Sequence, residues 1–330
     1  MTDIQSLKVN DRVELYAMVK RSEVKTSSKG SKYLDLVLGD RTGEIDAKYW
    51  DYQEGGTPDY PANSLVKIRG SVNEFRGALQ LRVEMIRPLL PSDHVDPADF
   101  VATAEYDSEA MYDEIIRLAQ GFRDEDLKNL LLAIYDQYHQ ELLTAPAAVT
   151  LHHAMRGGLL YHTLSIIRLC QKAAEVYPQI DTDLLLTGAA LHDIGKIMEM
   201  DTSELGVASQ YTTDGNLIGH LVRGAIVVDE VGKELNVPAE KLMLVEHMLI
   251  SHHGRPEYGA AMVPKFLEAM VLSKMDELDA TVYEINDNVS KTDPDTFSPR
   301  IWSLDNARLY NHGRVDHTEP RANLLPEDKQ

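Results

Sequence analysis

A single cysteine, Cys170, stands in 330 residues, so no internal disulfide can form and the chain must fold by packing alone. Cys170 sits in an apolar helical pattern and reads as a core thiol rather than a nucleophile. No apolar run is long enough to cross a bilayer. The start Met1-Thr2-Asp3 lacks the basic and apolar regions of a secretory signal. The expected compartment is the cytoplasm, with no membrane partner. Positive charge is scarce as well: 33 Lys and Arg stand against 53 Asp and Glu, a formal charge of −20. A protein that coats nucleic acid by charge alone is excluded. The deficit is uneven, since residues 1–90 hold 14 basic and 13 acidic side chains, and that segment alone tolerates a polyanion.

What is present is an ordinary globular composition, 43% hydrophobic and 26% charged, with room for two cores. The spans 13–19, 33–38, 43–50, 65–72 and 79–86 are short, β-branched or aromatic, and partly alternating. Turn signals separate them, among them Ser27-Ser28-Lys29-Gly30 and Asp40-Arg41-Thr42-Gly43. Five strands in about ninety residues, with a longer excursion after the third, suit an OB-type β-barrel over residues 1–90. Pro91 and Pro97 mark a linker over 91–106. From 107 to 310 the period changes to helical, with apolar residues three and four apart over 111–122, 125–143, 159–176, 183–198, 220–235, 239–251 and 265–285. The stretch 203–219 reads as a loop or hairpin, and 311–330 as a polar, flexible tail. The fold class expected is therefore multidomain α and β, a five-stranded barrel followed by an all-α bundle.

Seven potential metal ligands recur in the second part in a fixed order: His162, His192-Asp193, His220, His252-His253 and Asp276. Imidazole and carboxylate are the usual ligands of divalent transition metals. His162 shares a helical face with Ile166, Leu169 and Ala173, and His192 follows Ala189 by three, so both point inward. Asp276 lies on the stripe of Ala269, Leu272 and Ala280, where an unpaired carboxylate is costly and a cation removes the cost. Each residue alone has a structural explanation; the series exceeds what one metal needs, and two-metal centres commonly cleave phosphate esters.

The order His, His-Asp, His, His-His, Asp resembles that of HD-domain phosphohydrolases in their two-metal form. The surrounding words are closer still: Gly157-Gly158-Leu159-Leu160-Tyr161-His162, Leu191-His192-Asp193-Ile194-Gly195-Lys196, Gly215-Asn216-Leu217-Ile218-Gly219-His220, Ser251-His252-His253-Gly254, Asp276-Glu277-Leu278-Asp279-Ala280 and Arg300-Ile301-Trp302-Ser303-Leu304-Asp305-Asn306 look like those of YhaM-type 3′-to-5′ exoribonucleases. That family pairs an N-terminal OB-fold with an HD domain. The resemblance implies that His162, His192, Asp193 and Asp276 hold one metal and that Asp193 bridges to a second completed by His220, His252 and His253. Many HD proteins have an acidic residue before the first histidine; Tyr161 stands there, as in the YhaM type. Histidine-rich sites with oxygen ligands suit manganese, cobalt, iron or zinc better than magnesium, and the resemblance points to manganese first.

The implied reaction is hydrolysis of single-stranded RNA from its 3′ end to nucleoside 5′-monophosphates, with single-stranded DNA as the other candidate strand. Asp193 is the central catalytic residue, and Lys196, one turn from His192, is the candidate phosphate contact. Arg156, His152 and His153 are weaker substrate contacts. On the barrel, Lys20, Arg21, Lys25, Lys29, Lys32 and Lys48 offer a basic track, and Tyr33, Tyr49, Trp50 and Phe75 offer stacking rings. A homo-oligomer is expected from the resemblance. The competing readings are an HD phosphohydrolase of small nucleotides, which needs no strand-binding barrel, and a non-catalytic single-strand-binding factor with structural metal.

Overall fold

The structure, a computed structural model, describes residues 3–149, 154–317 and 322–326. His152 and His153 lie outside the described residues. The chain divides into two compact units, Met1–Thr103 with Ser203–Val207, and Ala104–Thr202 with Ala208–Gln330.

The first unit is a closed barrel of β1 (Arg12–Thr26), β2 (Lys32–Gly39), β3 (Glu44–Tyr49), β4 (Leu65–Phe75) and β5 (Ala78–Pro88), in the order β1-β2-β3-β5-β4 with β4 returning to β1. Only β3 and β5 pair in parallel. This is the order of the OB barrel. Alternating residues fill the interior, among them Leu15, Ala17, Val19, Leu36, Leu38, Ala47, Ile68, Val72 and Leu81. β1 runs seven residues beyond its expected end at Val19. A bulge between Val19 and Arg21 breaks the alternation there and lets the strand go on to pair with β2. Part of the expected linker belongs to this unit: Phe100 and Val101 are buried with Met18 and Leu205.

The second unit is built from α1 (Ser108–Gln120), α2 (Glu125–Gln137), α3 (His139–Leu142), α4 (Gly158–Val176), α5 (Thr182–Leu191), α6 (Lys196–Glu199), α7 (Thr213–Leu217), α8 (Gly219–Glu234), α9 (Ala239–Ser251) and α10 (Leu267–Ser290). Two small hairpins add β6 (Met200–Thr202) with β7 (Ala208–Tyr211), and β8 (Thr296–Phe297) with β9 (Tyr310–Asn311). One core joins the apolar faces, with Met111, Leu130, Ile134, Leu164, Leu185, Val245, Leu249 and Leu272 fully enclosed. The single expected helix over 183–198 is two, α5 and α6, separated by a turn at His192–Gly195. The residues expected to form a loose tail are docked at 322–326. Leu324 and Leu325 are buried, Ala322 is held between Tyr106 and Tyr161, and the Arg168 side chain donates to the Leu324 carbonyl. Among the described residues no helix is long and apolar enough to cross a membrane.

Candidate metal centre

The seven side chains come from five places: α4, the turn after α5, the start of α8, the turn after α9, and α10. His192 and His252 use one device. Each follows the last residue of a helix, and its Nδ1–H donates to the carbonyl three residues back, Ala189 at 2.9 Å and Leu249 at 2.8 Å. Carbonyls in a helix's last turn have no partner within the helix, so they are free to accept. The remaining histidines are oriented by other groups. Nδ1–H of His162 donates to Asp279 at 2.8 Å, that of His220 to Glu199 at 2.9 Å, and that of His253 to the Tyr258 carbonyl at 2.8 Å. Carbonyls and carboxylates only accept, so all five rings carry their proton on Nδ1 and present Nε2.

Four of those Nε2 atoms, from His162, His192, His220 and His252, converge on Asp193, which is 2% exposed. Its Oδ2 lies 3.3 Å from His192 and 3.6 Å from His162, and Oδ1 lies 3.4 Å from His220 and 3.6 Å from His252. The two oxygens thus face two clusters, His162-His192-Asp193 and His220-His252-His253. Asp276 joins the first, with Oδ1 at 3.3 Å from His162 Nε2. The Nε2 atoms of His162 and His192 stand 3.3 Å apart. Two ligands on one cation at roughly 2.1 Å sit about 3.0–3.4 Å from each other, so the spacing fits.

Three buried polar atoms lack a hydrogen-bond partner among the described residues: Asp193 Oδ1, His220 Nε2 and His252 Nε2. Unpaired polar atoms are costly in a protein interior, and a shared cation removes the cost for all three together. The donor set therefore suits a divalent metal.

Electrostatics agree with the geometry. Burial opposes charge on Asp193, but Lys196 at 2.6 Å and the surrounding imidazoles hold it ionised, well below the ordinary carboxylate range. Burial likewise opposes ionisation of Asp276, and His162 overcomes it. Burial pulls His252 down to about 4, keeping it in the neutral form a metal needs. His162 goes the other way: burial lowers it, but Asp276 and Asp279 together raise it to about 10, so a cation at its Nε2 would have to displace a proton there.

Glycines admit the close approaches. A Cβ on Gly195 would collide with the His220 carbonyl, and Gly254 takes φ of +77° against Ser273. A cavity of about 1150 Å³ opens on the cluster and is lined by His162, His220, His252, His253, Asp276 and Lys196, among others. Arg156 does not line it; it is half-buried, with its carbonyl accepting from Ala104. Sequence reasoning missed Asp279 and Glu199 as partners of ligands. Asp279 was legible in principle, three residues after Asp276 on one helical face, and Ser165 also bonds it. Glu199 was hidden by the break after α5.

On the barrel, Lys25 pairs with Tyr33 across β1 and β2, and Asp35 with Lys48 across β2 and β3. Tyr33 stacks on Trp50 at 4.4 Å, and Lys48 lies 5.9 Å from the Tyr33 centroid. Buried Asp35 anchors both Lys25 and Lys48. Four expected residues, Lys25, Tyr33, Lys48 and Trp50, thus share one face. Lys20 and Arg21 line a separate cavity of about 490 Å³. Tyr49 packs against the barrel core. Lys32 pairs with Glu54, Lys29 is exposed in the β1–β2 turn, and Phe75 is exposed at the tip of the β4–β5 hairpin.

An HD-domain profile matches residues 159–281, and an OB-fold nucleic acid binding domain profile matches 13–89. The 3′-5′ exoribonuclease YhaM of Listeria innocua is 36% identical over 306 residues, which cover 92% of this chain and 96% of that protein. The chain belongs to the YhaM family. The YhaM of Bacillus licheniformis is 33% identical over 305 residues, 92% of this chain and 95% of its own. A domain of replication protein A from Methanococcus maripaludis, 24% identical, covers 27% of this chain and 93% of its own with a TM-score of 0.24. The OB-fold and HD domain that the resemblance implies are both found here.

Proposed function

We propose that the protein is a metal-dependent 3′-to-5′ exoribonuclease that hydrolyses single-stranded RNA to nucleoside 5′-monophosphates at a two-metal centre, with manganese as the metal. The observation that carries this reading is the division of Asp193, one carboxylate oxygen toward each of two histidine clusters. His162, His192, Asp193 and Asp276 would hold one ion, and His220, His252 and His253 with Asp193 the other. When bound, such a pair supplies an acidified water and neutralises charge developing at phosphorus. The chain's own residues do the rest. Five Nδ1–H bonds fix the ligand rings, and Lys196 keeps Asp193 ionised. Lys196 also lines the cavity, so its ammonium is the proposed added contact to the scissile phosphate.

The Tyr33–Trp50 platform flanked by Lys25 and Lys48 supports a strand-gripping role for the barrel. RNA rather than DNA is taken from the name of the relatives. Self-association, to be read by sedimentation, and a cytoplasmic location belong to the same proposal. The deciding experiment is 5′-labelled single-stranded RNA incubated with manganese and the purified protein, alongside elemental analysis. A ladder shortening from the 3′ end is expected, lost on chelation and in Asp193→Ala. Intact RNA under several divalent ions would refute the reading.

A further inference from the structure

The cavity over the ligand cluster is lined by three cations, Lys196, Arg255 and Lys274. Lys196 is paired with Asp193, and Lys274 with Glu277 at 2.7 Å. Arg255 is exposed and forms no ion pair among the described residues. Five carboxylates, Glu199, Asp276, Glu277, Glu284 and Asp305, line the same space. With Lys196 shared between Asp193 and the scissile phosphate and Lys274 held by Glu277, Arg255 is the lining cation left to meet a second phosphate of an entering strand.

Three residues on, Tyr258 ends the 3-10 turn Pro256–Tyr258. Its backbone carbonyl accepts from His253, yet the residue leaves 65% of its surface to solvent while lining the cavity. Gly259, at φ of +94°, turns the chain away. Separate atoms of one short turn thus do separate things. The backbone orients a ligand histidine, while a guanidinium and a phenol ring stand at the cavity beside it. An aromatic face with a nearby free cation is what a single strand needs: every base stacks, and every linkage carries a charge.

Resting on the nuclease reading, we propose that the Arg255–Tyr258 turn positions the substrate strand, Tyr258 stacking on one of the two 3′-terminal bases and Arg255 meeting a phosphate of the same strand. Stacking on a ring is indifferent to base identity, so this contact grips any sequence.

The test uses the full-length protein with manganese and three short RNAs: one with all its bases, one abasic at the last position, and one abasic at the penultimate position. For wild type, one abasic strand should show KM raised about tenfold. Tyr258→Ala should raise KM for the intact strand by about the same factor, with kcat little changed, and should erase the preference for the intact strand. Tyr258→Phe should restore both. Arg255→Gln should raise KM and reduce its dependence on salt. Metal content should stay at the wild-type value in every variant, because His253 bonds a backbone carbonyl. Tyr258→Ala that keeps the wild-type KM and the abasic discrimination overturns the assignment; so does metal loss from that variant, which would make the turn purely structural. Wild-type protein that leaves all three RNAs intact overturns the nuclease reading instead, and this assignment with it.

Discussion

Each imidazole of the cluster has one nitrogen engaged by an orienting acceptor, and the strength of that acceptor sets how basic the other nitrogen is. For His162 the acceptor is Asp279, itself bonded by Ser165. For His220 it is Glu199, which also accepts from the His220 backbone N–H at 3.1 Å. Loss of such an acceptor frees the ring and weakens the metal, typically by about 10- to 100-fold. Asp279→Ala should therefore bind manganese about 10- to 100-fold more weakly by calorimetry, with Asp279→Asn in between because its amide oxygen still accepts. Wild-type affinity in Asp279→Ala would show that packing alone orients His162. The clustered residues were legible because histidine and aspartate stand out against an apolar stripe. Their acceptors were not, since a carbonyl is invisible to sequence and an ordinary glutamate resembles any surface residue.

At the scale of elements, α1 and α4 are tied by Glu114, fully buried, which accepts from Arg117 on its own helix and from Arg168 on α4. Burial raises the Glu114 pKa, but the Arg117 bond, the largest influence, and Arg168 bring it below the ordinary 4.5. The sign follows. The ionised pair stabilises the fold above about pH 4.5, and that contribution is lost as pH falls through the depressed folded value. Glu114→Gln should lower stability at pH 7 by about 1–3 kcal/mol and flatten the acid limb of the melting profile below pH 4.5. An unchanged acid limb would refute the role. The docked segment offers a second check. Leu324 is 2% exposed and Leu325 5% exposed. Replacing one such leucine by alanine costs about 2–5 kcal/mol, so Leu324→Ala should melt several degrees lower, whereas a loose tail would show no change. A short apolar pair in a polar stretch has no period, so its docking is not visible in the sequence of 311–330. The break between α5 and α6 was likewise unreadable, because the close approach of the His220 carbonyl to Gly195 is a contact between residues distant in sequence.

For the molecule as a whole, the barrel and the helical unit each carry their own core. If the barrel grips strand, its face should matter for long RNA and not for metal. Trp50→Ala, which removes half of the 4.4 Å stack, should raise KM for a long single strand severalfold. Metal content should hold at the wild-type level, as should turnover of a short dinucleotide. Equal KM values for long RNA would favour a small-nucleotide phosphohydrolase that has no use for the barrel.

By itself the sequence determined the two periods, alternation and then three-and-four spacing, and hence a barrel followed by helices. It also singled out seven side chains suited to metal chemistry, because residue type and helical phase are local properties. Tertiary structure decided how those seven meet. The opposite facing of the two Asp193 oxygens, the carbonyls that fix His192, His252 and His253, and the unpartnered Asp193 Oδ1, His220 Nε2 and His252 Nε2 all depend on chain segments brought together only by packing of the core.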